Sequence, residues 1–427
     1  MKRDVGWQDS AAGPPAGVYY GWYVVAMAFL ANFAAAGSQF YAFNAFMLPL
    51  CEIRGWTRAD INLAPIIGFI CGLAGQYSYG SIISVTGPRR LMAMGTLVSA
   101  AAFVTLGQAQ ELWLFYVAYV FLIMGNAAMS ALVANTAVSN WFVRLRGRAM
   151  GIATSGITLA GVVLPFVAHY LLLSLGLAWA FAIIGMGIAC LAPLTWLVMR
   201  DSPESCGLLP DGQAAPPRET ATAPRVMAQS YVPPSQLVRS ASFWKMGLAY
   251  GLASAGVFAV VFQLGPRFQD LGMDGDTAMV LVALTAAAGT CGKFTWGVLC
   301  DRFPPNRLGA VMFCLVGLGQ ILGLLASGPF TVGLFIVVFG FGMGGIMSTF
   351  PIISAWCFGR AAFASVFRLL SLFLALQAVG YVMMGGAFSL TGSYDVAYIV
   401  FVFVDMAAAA LIVTVKPSIW AQPGESK

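Results

Sequence analysis

Apolar runs long enough to cross a bilayer follow one another along almost the whole of this chain, broken only by short polar connections. They fall at 20–48, 61–85, 91–109, 112–138, 149–173, 176–199, 243–268, 277–299, 308–327, 329–352, 362–387 and 394–415. Crossing the hydrocarbon takes about 20 apolar residues, and in lipid a single segment satisfies its backbone only as a helix. The sequence therefore predicts an all-α membrane protein with twelve transmembrane helices. Composition agrees, since 60% of the 427 residues are hydrophobic and 9% charged, against about a quarter charged in soluble domains. No large soluble domain fits in what remains.

The net charge of +6 resides in the connections rather than on one soluble face, which argues against a nucleic-acid partner and for membrane topology. With both termini in the cytoplasm, Arg89-Arg90, Arg144/Arg146/Arg148, Arg200/Arg218/Arg225/Arg239, Arg302/Arg307 and Arg360 all lie inside, and the outer connections keep Arg54, Arg58 and Arg267; this is the positive-inside pattern. Before the first span no apolar stretch with a small-residue cleavage site occurs, so no cleaved signal peptide is expected. The eight cysteines form no C-x-x-C, which predicts packing residues and neither a disulfide framework nor a zinc site.

A Pro-, Ala-, Ser- and Arg-rich stretch from Asp201 to Ser240 shows no helical period and reads as a cytoplasmic linker. Gly80-Ser-Ile-Ile-Ser84-Val-Thr-Gly87-Pro-Arg89-Arg90 after span 2 returns half a chain later as Gly297-Val-Leu-Cys-Asp301-Arg302-Phe-Pro304-Pro-Asn-Arg307 after span 8. Two pseudo-symmetric six-helix halves follow. The expected organisation is a cytoplasmic tail at 1–19, an N-terminal half at 20–199, the linker at 200–241, a C-terminal half at 242–415 and a cytoplasmic tail at 416–427.

Those paired motifs, spaced G-x-x-x-D-R/K-x-G-x-R/K-R/K, resemble the loop signature of the major facilitator superfamily. Asn140-Trp-Phe-Val-Arg-Leu-Arg-Gly147-Arg-Ala-Met-Gly151 leading into span 5, Phe358-Gly-Arg360 and Thr391-Gly-Ser-Tyr394 are similar to its monocarboxylate transporter and oxalate/formate antiporter branch. The resemblance implies the major facilitator fold and assigns a gating role to Gly80, Gly87, Arg89, Arg90, Gly297, Asp301 and Arg302. Ser84 stands where the family has an aspartate and Pro304 where it has a glycine. Asp301, expected to pair with cytoplasmic arginines such as those of its own half, keeps a charge that the first copy has lost, so gating of unequal strength at the two copies is expected.

A charge at membrane depth costs about 2.5–3.5 kcal/mol even on the lenient insertion scale. Lys293, eight residues before Asp301, carries one inside the eighth apolar run, behind Thr285 and Gly289 on the same face. The resemblance implies that this position binds the substrate carboxylate, where the family has an arginine. An ammonium offers rotatable donors in place of a planar fork and can also gain and lose a proton. The bland alternative is a lysine snorkelling to the headgroups. Arg368 is a candidate second cation, against the simpler reading that it reaches cytoplasmic water. Asp405 in span 12 is, with Lys293, a candidate proton site, against an equally plain reading as a structural carboxyl. Where the branch has further charged groups, this chain has Gly289, an uncharged span 1, and Ala375-Leu376-Gln377.

Neutral hydrogen-bonding residues on the helices that this fold uses for its cavity complete the expected substrate site: Gln39, Tyr41, Asn44, Asn126, Ser130, Tyr250 and Tyr381. Each is as readily glue between helices. Glycine runs such as Gly340 to Gly345 lie inside spans and predict close packing, not phosphate loops, and His169 reads as a solvated or capping residue. No cofactor, metal or enzymatic constellation is expected. The functional expectation is a secondary transporter of a small organic anion, a monocarboxylate, working by alternating access in a bacterial inner membrane, with proton coupling open. The alternatives are an exporter of amphiphilic drugs or metabolites and a transporter-like sensor.

Overall fold

The computed structural model describes residues 18–212 and 233–417; the outer parts of the two tails and linker residues such as Arg218 and Arg225 lie outside them. Every regular element among the described residues is helical, as a chain immersed in lipid requires. Span 1 comprises α1 (Gly21–Ala36), a π-helical turn (Gly37–Ala42) and α2 (Phe43–Arg54). Spans 2 and 3 run as one long helix, α3 (Arg58–Gln108), broken at Gly87, whose φ of 76° takes it out of the helical region ahead of Pro88. Span 4 is α4 (Leu112–Met129) and α5 (Ala131–Trp141), and spans 5 and 6 are α6 (Arg146–Leu175) and α7 (Leu177–Val198).

The short α8 (Pro234–Leu237) leads into the second half. Span 7 is α9 (Ala241–Phe262) with α10 (Leu264–Asp270), span 8 is α11 (Gly275–Cys300), and spans 9 and 10 are α12 (Pro305–Leu324) and α13 (Pro329–Phe358). Span 11 is α14 (Phe363–Leu370), a 3₁₀ turn (Ser371–Leu376) and α15 (Gln377–Thr391), and span 12 is α16 (Asp395–Val413). With α3 counted on either side of Gly87, the twelve expected spans are present.

The irregular joints have local causes. At the break in span 4, Ala131 adopts φ 37°, and the Asn32 side-chain oxygen accepts its amide at 3.2 Å while the Asn32 amide donates to Ala153 O at 3.0 Å. Spans 1, 4 and 5 are thereby tied at one level by a single buried asparagine. π turns such as that in span 1 recur at functional sites, and this one carries Gln39 and Tyr41.

The halves meet through α11 on α6, α14 on α3 and α5, and α13 on α6. The outer segments α2, α10 and α15 pack on elements of their own halves. The molecule is thus closed on its cytoplasmic side. The linker departs from the featureless stretch that its composition suggests, since 3₁₀ turns form at Glu204–Cys206 and Pro210–Gly212.

Candidate functional site: the closed interface between the halves

The interface begins where α6 and α11 cross. A Cβ at Gly147 would fall on the Gly297 carbonyl, a Cβ at Gly297 on the Gly147 carbonyl, and one at Gly151 would lie 3.0 Å from Lys293 O. Only glycine lets the two backbones touch in this way. At the cytoplasmic end of this crossing, Asp301 of the C-terminal half accepts the Gly147 and Arg148 amides at 2.6 and 3.0 Å and lies 3.4 Å from Arg148 Nε. It caps the first turn of α6, whose own cap residue, Leu145, supplies no side chain. The sequence had suggested arginines of its own half for Asp301; the partner is an arginine of the other half.

Burial raises the Asp301 carboxyl to about 6, more than the amide bonds and Arg148 lower it. A raised value in the closed state means tighter proton binding there than in an open state where the group is hydrated, so acidification favours closure. Between pH 7 and pH 5 the closed-to-open ratio is expected to rise about tenfold. Spin-label distances across the cytoplasmic ends, measured over that range, check this, and Asp301→Asn should flatten the profile.

Lys293 sits just above the glycine crossing, buried to 4% exposure. Its ammonium donates to the Thr154 carbonyl of α6 at 3.3 Å, and among the described residues no carboxylate forms an ion pair with it. It does not snorkel; it bridges the halves. Seven residues along α6, about 10 Å outward, a Cβ at Gly161 would meet the Tyr41 ring. Lys293 and Tyr41 therefore flank one stretch of α6 that contains Ser155 and Thr158, whose hydroxyls donate to Ile152 O and Ser155 O.

The other expected site residues are placed apart from Lys293. Asn126 is buried inside the N-terminal half, accepting from Ser99 Oγ at 2.6 Å and donating to Ala35 O and Ser38 Oγ at 3.3 Å. Ser130 donates to Asn126 O at the helix break. Tyr250 shares a 2.7 Å hydrogen bond with Thr349, within the C-terminal half. The Gln39 carbonyl accepts from Tyr119, and the half-exposed Tyr381 packs edge-on against Phe262. The Asn44 side chain lies outside the described residues. Asp405 is fully buried between α16 and α12 with Gln320 as its polar neighbour, an approach without a hydrogen bond of normal geometry.

Arg368 does not reach cytoplasmic water. At 1% exposure it crosses to the other half, where it bonds Ser81 Oγ, stacks 4.9 Å from the Tyr77 ring and covers Gly80. Ser84, the position that lost its aspartate, donates to Ser81 O in its own helix. The two loop motifs thus close differently, by a carboxylate cap at α11/α6 and by a guanidinium at α3/α14. Sequence reasoning missed a third contact, the 2.6 Å pair of Glu204 in the linker with Arg360 of the C-terminal half. It also missed Asp201, whose carboxylate accepts the Arg89 amide at 2.9 Å and fills the space beside Gly87 that any side chain there would need.

Two six-helix halves joined by a linker, touching on one side through glycine crossings, caps and buried cations, define a membrane transporter rather than an enzyme. The Major Facilitator Superfamily model matches residues 27–383, and the chain belongs to that family. It is 22% identical over 358 residues to the agnestins efflux protein AgnL12 of Paecilomyces divaricatus, spanning 83% of this chain and 78% of that one. It is 26% identical over 322 residues to mouse monocarboxylate transporter 11, spanning 74% and 68%. The crystal structure of the human organic anion transporter MFSD10 superposes with a TM-score of 0.69 at 14% identity, covering 94% of this chain and all of that one. The family makes this an integral membrane protein. The two named relatives come from a fungus and a mouse, so the bacterial inner membrane expected from the sequence gains no support.

Proposed function

We propose that this transporter carries a small organic anion, a monocarboxylate, by alternating access, with Lys293 as the partner of the carboxylate. The observation that carries this reading is the position of Lys293: a cation buried between the halves whose hydrogen-bond partner among the described residues is one backbone carbonyl. A buried charge with so little compensation is costly, and an anion entering between α6 and α11 supplies the missing counter-charge. Ser155, Thr158 and Tyr41 line the adjacent stretch and offer neutral polar contacts to the rest of a small polar solute. The likeness to monocarboxylate transporter 11 supports the same class.

A second reading, export of an amphiphilic metabolite, is favoured by the likeness to an efflux protein. Uptake of radiolabelled lactate, pyruvate, formate and oxalate into proteoliposomes, with and without an inward proton gradient, separates the two. Saturable carboxylate flux supports the anion reading, and its dependence on the gradient decides whether transport is proton-coupled. Absence of carboxylate flux alongside extrusion of an amphiphilic dye supports the second reading, and binding without flux supports a sensor.

A further inference from the structure

The start of α6 is held by two carboxylates at once, and only one of them belongs to the familiar loop motifs. Asp301 takes the amides of Gly147 and Arg148. Immediately before them, Asp211 of the linker accepts the amides of Val143 and Arg144 through one oxygen at 3.1 and 2.8 Å, and that of Leu145 through the other at 3.1 Å. Five amides of one six-residue junction are thus shared between a residue of the linker and a residue of the opposite half.

The turn that presents Asp211 is built for that purpose. Asp211 itself takes φ 58° and Gly212 φ 71°, both in the left-handed region that costs a non-glycine residue energy. Tyr19 packs on Gly212 and donates to Leu209 O at 3.0 Å. The linker is fixed upstream by Asp201 on the Arg89 amide and by the Asn140 side chain on Asp201 O.

We propose that Asp211 is a positioning residue of the cytoplasmic gate: the linker turn sets the 143–145 segment so that the first amides of α6 stand where Asp301 of the other half docks. The tether between the halves thereby sets how firmly they close. Charge couples the two sites as well, since Asp211 repels Asp301 while Arg148 attracts it, Cys300 being its titratable chain neighbour.

The test uses the full-length protein in proteoliposomes, with spin labels at the exposed Val85 and Phe303 of a background lacking the native cysteines. Asp211→Asn, which keeps the shape and weakens the acceptor, is expected to shift the closed-to-open ratio about tenfold toward open. It should also move the pH midpoint of closure to lower pH, because the repulsion on Asp301 is gone. In an Asp301→Asn background, Asp211→Asn should add little, since it acts through Asp301. Gly212→Ala, which strains the turn and leaves the charge, should shift the ratio in the same direction and serves if the first variant does not fold. Variants that lower thermal stability while leaving both the ratio and the midpoint at wild-type values would overturn the proposal, as would additive effects of Asp211→Asn and Asp301→Asn.

Discussion

Lys293→Ala is expected to lower carboxylate flux at least about a hundredfold, while Lys293→Arg keeps a measurable fraction. Breaking a buried charge pair by removing one partner costs about 3–5 kcal/mol, and 1.4 kcal/mol is a factor of ten. The alanine variant leaves the incoming carboxylate buried without a counter-charge. Arginine restores the charge in a bulkier, planar form that α6 and α11 must accommodate beside the Gly151 contact, so its flux should return only in part. The loss belongs in kcat/KM for every carboxylate tested, with Lys293→Gln no better than alanine. Wild-type flux in the alanine variant would show that Lys293 only ties α11 to Thr154, and the anion site would have to be sought elsewhere.

Gly147→Val is expected to hold the transporter open toward the cytoplasm, shifting the equilibrium by about a hundredfold. An added side chain in a packed core usually costs about 1–3 kcal/mol, because neighbours give way. Here the atom in the way is the Gly297 carbonyl, part of a helix that cannot move aside without parting the halves. The upper end of that range therefore applies. Gly187→Ala in α7 is the matching control, since its added Cβ meets nothing within 4 Å. Labelling of a cysteine placed at the cytoplasmic crossing reports the outcome. An unchanged labelling rate in Gly147→Val would mean that the crossing is not what holds the gate shut.

The spans were legible because hydrophobicity and charge act over whole segments; twelve runs and the arginine-rich connections needed no knowledge of packing. Lys293 was legible for the same reason, as a lone charge in an apolar run. The placement of Asn126, Ser130 and Tyr250 within single halves was not, because an asparagine that lines a cavity and one that ties helices look alike in a sequence. Asn126 spends its side chain on three neighbours within its own half, and nothing local announces that. Arg368 misled in the opposite direction: proximity to a helix end suggested water, and the structure turns it across the interface to Tyr77 and Ser81. The linker acids carried a readable signal, since Leu209-Pro-Asp-Gly212 is strong turn chemistry that composition alone had blurred into an unstructured tether.

The clasp at 201–212 also bears on the order in which the protein is made. Asp201 and Asp211 reach back to Arg89, Asn140 and residues 143–145, so the N-terminal half can finish its cytoplasmic face once the chain to Gly212 has left the ribosome. What then waits for the second half is a small set of cross-contacts: Glu204 for Arg360, Gly147 for Asp301, Thr154 for Lys293 and Tyr77 for Arg368. A nascent first half is in this sense a prefabricated docking plate, complete in its own bonds and lacking only the counterpart that synthesis delivers last.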